Sequence, residues 1–72
     1  MENIEALFDY VFVESYNNID YIMNHTELKN ILDNDKYYNY MINTNPNVDN
    51  KILKAYSFSI IYILALLSYY NI

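Results

Sequence analysis

An imidazole is the side chain best suited to proton transfer near neutral pH, and the 72-residue chain has one, His25. It stands in Asn24-His25-Thr26-Glu27 with no nucleophile or second base at a recognisable spacing. His25 therefore reads as an exposed residue at a helix junction. Ser57, Ser59 and Ser68 also lack a base in any recognisable pattern. They read as hydroxyls that bond back to a helix carbonyl one turn earlier. Glu2 with Glu5, and Glu5 with Asp9, share a helix face at spacings of three and four. An acid–base pair needs a cleft that pushes two pKa values apart; without one these carboxylates read as a solvated acidic face.

Metal and phosphate chemistry fare no better. Asp33-Asn34-Asp35 begins like a calcium loop, but Tyr37 takes the place of the third ligand and the turn glycine is missing. The chain has no cysteine and a single histidine, which excludes the common zinc arrangements. It has no glycine either, which removes phosphate-cradling loops, dinucleotide fingerprints and nucleophile elbows. No catalytic, cofactor-binding or metal-ligating residue is assigned, no cofactor is implied, and the chain is expected to be non-enzymatic. Asn24-His25-Thr26 is a formal glycosylation sequon, expected to remain unmodified.

The net charge is −5, from nine Asp and Glu against four lysines. Lys29, Lys36, Lys51 and Lys54 are too few and too scattered to displace counterions from phosphates, so no nucleic acid is expected as a partner. A polybasic lipid patch is excluded on the same ground. Seventy-two residues allow one domain. A domain of this size buries only about 60% of the surface its unfolded chain exposes, and without disulfides its remaining staples are oligomerisation, a partner or a membrane. The acidic opening lacks the basic region of a secretory or mitochondrial leader, so a cytoplasmic location is expected. The bias toward Asn, Ile and Tyr tracks AT-rich codons.

The elements that would position any surface are helical. Ile4, Leu7, Phe8, Val11 and Phe12 recur at spacings of three and four, and the stripe continues through Tyr16, Ile19, Ile22 and Met23. Asn17-Asn18 interrupts it, predicting one long helix or two halves bent there. Asn24 with Glu27, or Thr26, is expected to cap a short second helix with Leu28, Ile31 and Leu32 on one face. Asp33-Asn34-Asp35 breaks or re-caps the chain before a further turn or two carrying Tyr37, Tyr38, Met41 and Ile42. Pro46 and its neighbouring asparagines make residues 44–48 a loop, after which Asn47 or Asp49 caps the last helix.

That last helix, residues 49–70, is the most informative segment. No charged residue occurs from Ala55 to Ile72. Ile52, Tyr56, Ile60, Ile63, Leu64 and Leu67 form one apolar face, with Phe8, Val11, Phe12 and Ile19 expected against it. Leu53, Ser57, Ile61, Ala65 and Ser68 form a second, smaller face. A helix apolar all round is a buried core helix or a membrane span. The 18 uncharged residues, preceded by Lys51 and Lys54, also have the layout of a C-terminal anchor with residues 1–50 facing the cytosol.

Two resemblances sit on these residues. Leu28, Ile31 and Asp33 stand at spacings similar to the core of a BH3 helix, but Asn24 replaces the preceding apolar anchor and Leu32 the small residue before the aspartate. Asn45-Pro46-Asn47-Val48, then Lys51-Ile52-Leu53-Lys54-Ala55 and the apolar run, resembles the approach to the central helix of small helical virulence proteins of AT-rich poxviruses. The likeness covers residues 45–67, contains no diagnostic motif and implies a Bcl-2-like bundle.

The sequence thus predicts an all-α fold, a small bundle of three to four helices in one domain, with residues 1–43 amphipathic and a long apolar C-terminal helix. Its expected function is non-enzymatic protein–protein interaction, viral and host-modulating in character, with another protein or a second copy on the face Ile52, Tyr56, Ile60, Ile63, Leu64 and Leu67. The alternative is a small tail-anchored membrane protein held by residues 55–72.

Overall fold

In the computed structural model, residues 3–70 are described. Their order is α1 (Ile4–Asn17), α2 (Ile19–Met23), α3 (Thr26–Asp33), α4 (Lys36–Thr44) and α5 (Asn50–Tyr69). The architecture is all-α, with five helices among the described residues in place of the expected three to four. The extra one comes from the break at Asn18, whose side-chain Nδ2 donates to the Glu14 carbonyl at 2.7 Å. The Asn18 backbone N–H uses the same carbonyl at 3.1 Å. A side chain that competes for backbone partners in this way loosens a helix where it sits.

Capping explains the other boundaries. Asp35 begins α4 by accepting the Tyr38 N–H at 2.8 Å. Asp49 begins α5 by accepting the Lys51 N–H at 3.0 Å. The cap expected at Asn24 or Thr26 is not formed: α3 starts after His25 with no side-chain cap, Thr26 is already helical, and Asn24 closes α2. The backbone itself closes this junction, His25 N–H bonding to the Ile22 carbonyl. The helix α4 runs to Thr44, one residue further than expected, because Thr44 Oγ1 and Asn45 Nδ2 bond back to the Tyr40 and Met41 carbonyls. Replacing Asp35 by Ala leaves the first-turn donor of α4 unpaired and should cost about 1 kcal/mol. On a domain of this size that lowers the thermal midpoint by roughly 4–8 °C, read by far-UV dichroism; an unchanged midpoint would show that the cap does not hold α4.

The helix α5 is the spine. It contacts all four other helices, most extensively α1. At about 1.5 Å per residue it is roughly 30 Å long, and the molecule's longest dimension is 33 Å. The shorter helices line its two flanks. One flank carries Leu53, which joins Leu32 of α3 and Tyr38 of α4 in the main apolar cluster, with Met23, Met41, Ile42 and Ile61 packed around it. Tyr38 also donates its hydroxyl to Asn50 Oδ1 at 3.2 Å, tying α4 to the start of α5. Burial, reinforced by the charge of Asp33, holds that phenol above its usual pKa. On the other flank Ala55, Ser59 and Ile63 face α1, where Val11 and Ser15 are buried. Of the apolar face expected on α3, Leu32 is buried and Leu28 half-buried, whereas Ile31 is 48% exposed.

Candidate interaction surface

The expected face of α5 is divided by its packing. Ile63 is buried, one turn on from Ser59, which meets Ser15 of α1, so it is not on the outer surface of the folded chain. Tyr56 is held in an aromatic cluster, with ring centroids 5.4 Å from Phe8, 6.4 Å from Phe12 and 6.5 Å from Tyr37. The pairs with Phe8 and Phe12 are edge-on; such pairs add about 0.5–1.5 kcal/mol beyond area burial, which anchors α1 to α5 at that point. Ile52 lies exposed in the first turn, and Ile60 and Leu67 are half-buried. Leu64 is 61% exposed.

Spacing explains the position of Leu64. Leu53, Ser57 and Leu64 follow one another at four and seven residues, which keeps them on one side of a helix. Leu53 and Ser57 are buried, but Leu64 projects from the same flank where the shorter helices no longer cover it.

The residues first considered for chemistry are dispersed. His25 is exposed, its ring 4.9 Å from that of Tyr21 in an edge-on contact. Asp33 accepts from Lys29 Nζ at 2.8 Å. That bond, and the charge behind it, raises the lysine above its usual pKa. Asp35 serves as a cap. No cluster of three or more His, Asp or Glu able to hold a metal ion occurs among the described residues. Ser59 bonds back to the Ala55 carbonyl at 2.7 Å, as expected, whereas Ser57 Oγ is buried with no hydrogen-bond partner. The pair Glu2–Glu5 lies partly outside the described residues.

Sequence reasoning missed a second feature. An open groove of about 330 Å³ runs between α1, α2 and α5, floored by Val11 and Ile22 and walled by Tyr10, Phe58 and Tyr62, with Glu14, Ser15 and Asn18 on its α1 side. The signal was present in the charge order. Residues 1–28 contain six carboxylates and no lysine or arginine, all four lysines lie between 29 and 54, and nothing is charged beyond Lys54. The fold sets the uncharged half of α5 beside the purely acidic helices α1 and α2. No family model, no curated protein and no solved structure matches this chain.

Proposed function

We propose that this chain is a non-enzymatic protein–protein interaction module that works through the exposed apolar flank of α5 around Ile60, Leu64 and Leu67. The observation that carries this reading is Leu64, a large apolar side chain left in water in line with the buried Leu53 and Ser57 of the same flank. A second copy is the simplest occupant. The segment from Ala55 onward is uncharged, so two acidic chains can meet there without bringing like charges together. The resemblance of residues 45–67 to poxviral helical virulence proteins extends the reading to a host-directed viral protein, which a host protein would engage on the same flank.

Sedimentation equilibrium tests it. The wild type should sediment at twice its 8.7 kDa mass. Leu64→Asp should sediment as a monomer and keep its helical dichroism, because the aspartate stays solvated in the monomer and becomes buried and unpaired in the dimer. A wild type that is monomeric throughout would overturn self-association on this flank.

One observation favours a second reading, a tail-anchored membrane protein. By length and composition α5 can cross a bilayer, and only 28% of its most apolar window is buried in the fold. Retention of the full chain in the membrane pellet after carbonate extraction would support the anchor and displace the soluble dimer. Release into the supernatant would remove the anchor.

A further inference from the structure

We infer that the groove between α1, α2 and α5 is a binding site for a cationic peptide segment, which places a lysine or arginine against Glu14 and an apolar neighbour between Tyr10, Phe58 and Tyr62. Leu64 follows Phe58 by six residues and Tyr62 by two, so on a helix it points to a different side from both. The groove is thus a second site, independent of the self-association surface.

Three observations lead to this occupant. First, the walls suit a cation with an apolar shoulder. Aromatic faces attract ammonium and guanidinium groups; Phe58 and Tyr62 supply two stacked rings 6.5 Å apart, and Tyr10 stands across from them. Second, the charge is one-sided. Glu14 has no ion-pair partner among the described residues, and α1 and α2 also carry Glu5, Asp9 and Asp20 with no basic residue. A field of one sign draws in the opposite one. The same field repels a second copy of this chain from the groove. Third, polar capacity is left over on its α1 side. Asn18 Nδ2 is fixed on the Glu14 carbonyl, which leaves its Oδ1 as an acceptor.

Shape decides between a small organic cation and a peptide. Small-molecule sites enclose roughly 70–90% of the ligand surface. This groove is open along its length and cannot do so. An open trough between helices suits side chains projecting from a backbone that stays outside.

The test uses the full chain, isotope-labelled for amide NMR and titrated with a soluble Leu/Lys amphipathic peptide. The same peptide with every Lys replaced by Glu is the control. The Lys peptide should bind, with shifts centred on residues 10–22 and 58–62, and the Glu peptide should not. Affinity should fall as salt rises. Glu14→Gln should weaken binding by about three- to fivefold, the scale of an exposed ion pair. Tyr62→Ala, at an exposed wall position, should weaken it by about tenfold while the amide spectrum stays folded. Equal binding of both peptides, no binding of either, or an unchanged affinity in Glu14→Gln would overturn the assignment. Shifts confined to Ile63 to Leu67, with none at residues 10–22, would do the same, and would leave the α5 flank standing as an interaction surface.

Discussion

Leu32→Ala should unfold more of this protein than any other single truncation in its core. Leu32 is 0% exposed and sits where α3, α4 and α5 meet, against Tyr38 and Leu53. Buried Leu→Ala changes cost about 2–5 kcal/mol, depending on how far the site collapses. Met23 and Met41 line this one, and methionine is flexible enough to fill part of the void. A cost of about 3 kcal/mol is therefore expected. A domain of this length has roughly 4–11 kcal/mol in all, so about a quarter to three quarters of its stability goes. The thermal midpoint should drop by about 12–24 °C, and the urea midpoint should fall in step with an unchanged slope. Ile31→Ala is the internal comparison. Its side chain is adjacent in sequence but half in water, and surface changes of that kind stay within about 0.5 kcal/mol. Equal losses in the two variants would mean that the cluster around Leu32 does not hold the fold together.

This pair of residues also marks how far the sequence could be read. The helical period, the uncharged run after Lys54 and the break at Pro46 each rest on a local rule; the helices appear where the rule puts them, the break opens one residue later than expected, and of the two caps offered for α5, Asn47 and Asp49, Asp49 is used. Leu28, Ile31 and Leu32 all fit one apolar stripe, yet the stripe is wider than the contact α3 makes. Only the placement of α4 and α5 selects Leu32 over Ile31. The junction at Asn24 to Thr26 misled for a related reason. Two good capping residues, Asn24 and Thr26, stand two positions apart there, and with backbone bonds closing the turn neither was needed.

The inward side of α5 was least legible. A helix apolar on every side offers no amphipathic signal to orient it, and large side chains were expected to face the core. Packing density selects otherwise. Where two helices approach closely, small residues sit between them, so Ala55, Ser57 and Ser59 turn inward while Leu64 is left outside. The groove beside Glu14 escaped notice because its walls come from segments some forty residues apart. The missing basic residues in positions 1–28 were visible, but they acquire a location only once α1 lies along α5.

The same packing makes Ser59→Leu the second severe change. Ser59 is fully buried between α5 and Ser15 of α1, and its hydroxyl contact with Ser15 spans only 3.5 Å. The two added heavy atoms and the branch at Cγ have nowhere to go unless α1 moves outward, and α1 is the principal partner of α5. Overpacking of a tight contact costs about 1–3 kcal/mol and occasionally more. Here the upper end is expected, because a shift of α1 also pulls Phe8 and Phe12 from Tyr56. Loss of the serine hydroxyl adds little, since its bond runs to the Ala55 carbonyl of its own helix. Ser57→Ala, two residues away, should act in the opposite direction. Ser57 Oγ is buried without a partner, and removing an unsatisfied buried group recovers about 1 kcal/mol or more of desolvation. Thermal unfolding of the two variants should therefore move apart, Ser59→Leu downward by at least 10 °C or so and Ser57→Ala upward by about 4–8 °C. If leucine at position 59 were tolerated, α1 would not lie against Ser59, and the groove that depends on that crossing would go with it.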